Sequence, residues 1–328
     1  MKASNFLYYF NSILTKGKKD NTYKFALARF LTEYSSGLDD KYIENKIKNN
    51  SSERIEFSTI AKSFLKYYWH QICKYKIRQN YHVDKHPLMV QIIHEIFGND
   101  YIPERFTKMS PEKISNAEKM ITRWCFLEVI PRFQNIPEGK NISSNKIFYE
   151  YDKESISLKP EAILFFKKNH SLLLKAILLE WAKFLEKINI GLPRLISKIE
   201  SEEFERNNLA KYYILLKKYS HKCFYCNNSL PNERKTVHVD HFIPWSYIFE
   251  DELWNLVLAC GRCNIKKHSS LPQEDYIEKL VKRNFEYCYK IEDMKKSINR
   301  LGVEEKQEES IKKYYLNCLD YGFTKVNL

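Results

Sequence analysis

Two cysteine pairs constrain the fold of this chain more than any other feature. They read Cys223-Phe-Tyr-Cys226 and Cys260-Gly-Arg-Cys263. A two-residue gap lets one tight turn aim both sulfurs of a pair at a single ion, and two such pairs complete the tetrahedral shell of Zn2+. Four thiolates leave no open coordination position, so a zinc held this way is structural rather than catalytic. Such binding supplies roughly 10–16 kcal/mol, enough to fold a short, loop-rich segment. Two redox-active dithiols are the other reading of the same residues; the matched spacing favours the metal.

The residues between and beside the pairs suit a second kind of chemistry. Val237-His-Val-Asp-His-Phe-Ile-Pro244 precedes Asn255-Leu-Val-Leu-Ala-Cys260, and Asn264 follows Cys263 directly. A hard divalent cation such as Mg2+ (or Mn2+) takes one or two protein oxygens and keeps several waters. Asp240 and Asn264 offer such oxygens. His241 is a neutral imidazole near pH 7 and can accept a proton from water. Together these groups suit metal-assisted hydrolysis of a phosphodiester.

In this order the stretch resembles the HNH endonucleases, nucleases with a ββα-metal fold, many of which carry the same zinc-binding cysteine pairs. The residues that carry the resemblance are Val239 to Ser246, Trp254 to Ala259 and Cys260 to Asn264, within roughly residues 205–285, about a quarter of the chain. The resemblance implies a role for each position. Asp240 corresponds to the first ligand of the catalytic divalent ion and His241 to the general base. Asn255 corresponds to the middle asparagine, which braces the loop holding the base. Asn264 stands at the final position, a second metal ligand. His268, one helical turn further on, is an additional ligand in members with histidine there, and otherwise a solvated or phosphate-touching side chain. Products with 5′-phosphate and 3′-hydroxyl ends are implied as well. Arg262, Lys266 and Lys267 flank the metal-binding helix, where they would hold a nucleic-acid backbone or face solvent.

Charge agrees with a nucleic-acid partner. The chain of 328 residues has a formal net charge of +13 and a pI near 9.1. That surplus favours an anionic partner, most simply nucleic acid, although solubility or the residue bias of an AT-rich genome would also produce it. The remaining cysteines, Cys73, Cys125, Cys288 and Cys318, are scattered in apolar surroundings and read as small core residues. No secreted disulfide framework is visible, which points to a reducing, cytoplasmic setting. Leu172 to Leu179 is interrupted by Lys175 and soon followed by Glu180, too short and charged to span a bilayer.

The length allows two domains and the pattern predicts a mainly α protein. Residues 1–200 read as a helical domain of unassigned fold for target or partner recognition, and residues 201–328 as the zinc-stabilised ββα module with covering helices. Helices are predicted over 5–16, from 21 or 22 to 34, over 59–76, 88–97, from Pro111 to about Ile130, and over 172–188. Residues 38–54 read as loop or loose helix. A hairpin is predicted from 148–151 and 155–158. In the helix over 59–76, Tyr67, Tyr68 and Trp69 read as core, with base stacking as the sharper alternative. Within the module, strands are expected at 235–239 and 256–259, a loop over 241–253, and a helix from Cys263.

The function expected is therefore a metal-dependent DNA endonuclease. By analogy with modular nucleases its setting is bacterial anti-phage defence or restriction, with partner proteins of such a system. The alternatives are an RNA-directed nuclease and a catalytically silent zinc module that binds DNA or protein.

Overall fold

The computed structural model describes residues 3–17, 19–82, 85–99, 106–138, 141–144, 146–200, 208–231, 233–302 and 306–328. The chain divides into two compact units, one of residues 1–190 with 195–203, the other of 191–194 with 204–328. Among the described residues helices dominate and the sheets are small.

In the first unit, apolar side chains at three- and four-residue spacing form helices that bury one face each. Ala3–Thr15 buries Phe6, Phe10, Ile13 and Leu14. Tyr23–Gly37, Phe57–Trp69 and His170–Glu186 enclose an aromatic centre, where Phe25 stacks on Trp181 with ring centroids 6.1 Å apart and Tyr68 lies 5.9 Å from Trp181. Tyr67, Tyr68 and Trp69 are all buried, which rules out base stacking by these rings in this conformation. Leu88–Phe97 begins after Pro87 and ends at Gly98, whose φ of 90° is easily reached without a Cβ.

Three expectations need correction here. Residues 38–54 contain the helix Asp40–Lys48 and the first half of a strand, Glu53–Glu56, that pairs antiparallel with Ser155–Leu158. The predicted hairpin, Tyr149–Tyr151 with Ser155–Leu158, is thus two-thirds of a three-stranded sheet. The strand was hidden because buried Glu53 breaks the apolar pattern; its carboxylate accepts from Tyr34 Oη at 2.9 Å and Tyr42 Oη at 2.6 Å. The helix over 59–76 ends at Trp69 and passes into a wider π-type turn, His70–Lys74. The helix from Pro111 stops at Trp124 and a second, Phe126–Phe133, follows. That break rephases the apolar stripe, leaving Trp124 and Leu127 exposed while Cys125, Phe126 and Val129 are buried.

The second unit contains the strand pair that carries the site. Val237–His241 and Leu256–Cys260 run antiparallel, with Val237 opposite Cys260, Asp240 opposite Val257 and His241 opposite Leu256. The helix Gly261–Lys267 follows directly and packs on both strands, completing a ββα unit. The loop between the strands holds a short helix, Trp245–Ile248. Tyr276–Cys288, Glu292–Asn299 and Gln307–Asp320 cover the unit, with Leu280, Met294, Ile311 and Tyr315 fully buried. Phe285, on the first of these helices, is exposed. Half-buried Arg283 donates to the carbonyls of Leu256 at 2.7 Å and Trp254 at 3.0 Å, and desolvation pulls its guanidinium down to about 10. No described helix is long and apolar enough to cross a membrane.

Candidate metal centre and hydrolytic site

The strand pairing sets Cys260 opposite Val237, and the loop 223–228 lies alongside. Phe224 N donates to Leu258 O at 2.8 Å, which anchors the first cysteine turn to the second strand. As a result the Sγ atoms of Cys223, Cys226, Cys260 and Cys263 all lie within 4.8 Å of one another. Cys226 and Cys260 are 3.9 Å apart, close to the ~3.8 Å edge of a tetrahedron with Zn–S bonds of about 2.3 Å. Cys260 N donates to Cys223 Sγ at 3.4 Å, a contact that stabilises a thiolate. Burial works to raise Cys226, but the Asn228 amide and the neighbouring sulfurs outweigh it and bring that thiol down to about 7. Burial pushes the thiols of Cys223 and Cys263 up. The donor set, its spacing and its lack of disulfides fit a structural zinc.

Asp240 is the next-to-last residue of the first strand and is 8% exposed. Its Oδ2 accepts from Tyr225 Oη at 2.5 Å and lies 3.2 Å from Lys267 Nζ. Among the described residues Oδ1 has no hydrogen-bond partner. The Tyr225 hydroxyl is raised well above its ordinary range by burial and by the adjacent Asp240 charge, so it stays protonated and donates.

His241 is 6% exposed, and its Nε2 lies 2.9 Å from Asp251 Oδ1. A carboxylate only accepts, so the imidazole proton sits on Nε2 and Nδ1 keeps its lone pair. Asp251 also lines a cleft of about 490 Å³ with Lys211, Lys218, Lys296 and Arg300. Asn255 is fully buried, and its amide closes a ring with one residue: Oδ1 accepts from Ile243 N at 2.8 Å and Nδ2 donates to Ile243 O at 2.9 Å. The chain just after His241 is thereby tied to the start of the second strand. Asn255→Ala strands two buried backbone groups, and we expect it to cost about 2–4 kcal/mol in a urea titration of the zinc-loaded protein.

Asn264 lies half-buried on the helix Gly261–Lys267, and its side chain has no hydrogen-bond partner among the described residues. Arg262 and Lys266 are exposed at i and i+4 on one face of that helix. One expectation fails at the helix end. The helix stops at Lys267 and His268 caps it, its backbone N–H donating to Asn264 O at 2.9 Å one turn back; the residue takes a φ of 48°, is exposed, and its Nδ1 lies 3.0 Å from Ser269 Oγ. Lys267, expected beside a phosphate backbone, is fully buried, and its ammonium donates to His241 O at 2.7 Å besides pairing with Asp240. Sequence reasoning missed Tyr225 and Asp251 altogether. Tyr225 stood in plain view between two cysteines, but nothing in the spacing says that its hydroxyl reaches a carboxylate fifteen positions on.

The arrangement can do two things chemically. It can hold a soft metal in four sulfurs, and it sets a carboxylate beside an oriented imidazole. Residues 223–273 match a family model described as HNH endonuclease. Residues 4–96 match a second, described as a domain of unknown function (DUF8808). No curated protein and no solved structure matches the chain.

Proposed function

We propose that this chain, through its HNH endonuclease module at residues 223–273, is a divalent-ion-dependent nuclease that hydrolyses DNA phosphodiester bonds. The observation that carries the reading is the neighbouring pair Asp240 and His241. One is a carboxylate held through a single oxygen, the other an imidazole whose proton is committed to Asp251.

Asp240 Oδ1 and the Asn264 side-chain oxygen would hold Mg2+ or Mn2+, a hard cation suited to such donors. When bound, that ion supplies charge stabilisation for the phosphoryl oxygens and the departing 3′ oxygen. Nδ1 of His241 takes a proton from water as its oxygen bonds to phosphorus. The imidazolium formed is stabilised by the Asp251 carboxylate. The P–O3′ bond breaks, the leaving oxygen takes a proton from solvent, and a 5′-phosphate and 3′-hydroxyl result. Arg262 and Lys266 hold the backbone on either side, a contribution to affinity and its salt dependence rather than to sequence choice. The first unit, 1–200 in this reading, recognises the target or a partner protein, and defence against foreign DNA in the cytoplasm is the setting that follows by analogy.

The test is supercoiled plasmid incubated with the zinc-loaded full chain and Mg2+ or Mn2+. Nicked or linear product that requires the divalent ion and is lost in Asp240→Asn is expected. Preferential loss of an RNA substrate in a mixed pool would redirect the reading to RNA. Absence of cleavage of either polymer across both metals would leave a silent zinc module.

A further inference from the structure

The two groups that hold Asp240 have an unusual origin. Tyr225 is one of the two residues between Cys223 and Cys226, so its backbone is part of the first cysteine turn. Lys267 closes the helix that starts at Gly261, immediately after Cys260, and that contains Cys263. Each half of the four-sulfur site therefore sends one side chain to the same oxygen, Asp240 Oδ2. Lys267 also grips the carbonyl of His241, the next residue. Both holders are buried: Tyr225 is 3% exposed and Lys267 is 0% exposed. A fully buried ammonium needs a charge partner, and here that partner is the carboxylate expected to bind the catalytic ion.

The consequence is geometric. A carboxylate on a strand end can rotate about its χ angles, and each rotamer presents a different oxygen. Two donors on Oδ2 leave Oδ1 as the oxygen available to a cation. Groups that hold a ligating side chain in this way are worth as much to a metal site as many direct ligands.

We propose that Tyr225 and Lys267 are positioning residues that lock Asp240 through Oδ2, so that the divalent ion's site is built and oriented by the zinc-bound turns. The inference rests on the reading of Asp240 as a metal ligand. In this arrangement the structural metal does more than stabilise the module. It sets where Tyr225 and Lys267 start from, and so sets the orientation of the carboxylate.

The decisive variant is Tyr225→Phe, which removes one hydroxyl and keeps the ring that packs against Phe224 and Tyr276 at centroid distances of 5.3 Å and 5.8 Å. Mn2+ binding to the zinc-loaded full chain is measured by titration calorimetry, with no nucleic acid present. The dissociation constant is expected to rise ~10–100-fold. In parallel cleavage assays the Mn2+ concentration for half-maximal rate rises with it, while KM for plasmid stays unchanged and saturating Mn2+ restores kcat. If Tyr225→Phe fails to retain zinc, Lys267→Gln carries the same titration. A dissociation constant within about twofold of wild type would overturn the lock, since such a group typically matters tenfold or more. Asp240→Asn, measured alongside, separates the two ideas. If it too leaves Mn2+ binding intact, Asp240 is no ligand and the proposed function fails. If it abolishes binding while Tyr225→Phe does not, only the lock fails.

Discussion

Replacing His241 by alanine is expected to lower the plasmid-cleavage rate by ~10²–10⁴-fold, the usual worth of a positioned general base, while Mn2+ binding and DNA binding persist. The separation follows from how the residue is held. The imidazole meets Asp251, but the contact that ties this position to Asp240 runs through the His241 backbone carbonyl and Lys267. Alanine keeps that carbonyl. Asp240 therefore keeps both Tyr225 and Lys267, and the ion's ligand is undisturbed. Asp251 loses only its imidazole contact and borders the cleft lined by Lys211, Lys218, Lys296 and Arg300, where it is open to water, so the fold survives. Cleavage kinetics on supercoiled plasmid, with calorimetric Mn2+ titration of the same preparation, read both halves of the expectation. Wild-type rates in a clean preparation would remove His241 as the base.

Zinc removal has the larger structural effect. Stripping the metal with a strong chelator, or replacing Cys260 by serine, is expected to unfold the second unit at ambient temperature and leave the first folded. Apparent binding energies of about 10–16 kcal/mol equal or exceed the total stability of about 5–15 kcal/mol that a domain of this kind has. The ββα unit has little else at that end: two five-residue strands, one seven-residue helix, and four sulfurs gathered within 4.8 Å. Without a cation no metal–sulfur bonds tie the two cysteine turns together, and the sulfurs of Cys223 and Cys263 are left in a buried setting. The first unit contains none of the four cysteines and has its own aromatic centre around Phe25, Tyr68 and Trp181. Scanning calorimetry should lose one transition and retain the other. Tryptophan emission offers a second readout, because Trp245 and Trp254 are buried in the second unit and Trp69 and Trp181 in the first. Unchanged melting after metal analysis has verified zinc loss would refute a structural role.

The helical plan of the first unit was readable because it depends on local order. Side chains such as Phe6, Phe10, Ile13 and Leu14 repeat at helical spacing, and Pro87 and Gly98 bound a helix as their backbone preferences dictate. What escaped were features whose cause lies far along the chain. Glu53–Glu56 is a strand because Ser155–Leu158 offers it a partner a hundred residues later, and Glu53 is tolerated inside because two tyrosines and Lys46 satisfy it. The break at Cys125 has no glycine or proline to announce it; packing on either side decides it.

For the second unit the division is sharper. The spacing of Cys223, Cys226, Cys260 and Cys263, the Asp240-His241 dipeptide and the positions of Asn255 and Asn264 were legible in the chain alone, since each is a statement about residue type and short-range separation. The chain alone did not reveal that Lys267 faces inward, that the helix ends before His268, or that Asp251 and Tyr225 hold the two central side chains. Those outcomes depend on which oxygen meets which donor once two strands, a helix and a cysteine turn have closed on each other. A pattern of letters encodes the chemistry on offer; only the packed structure determines which groups are within 3 Å of one another, because hydrogen bonds and ion pairs fall off over that distance and not over sequence.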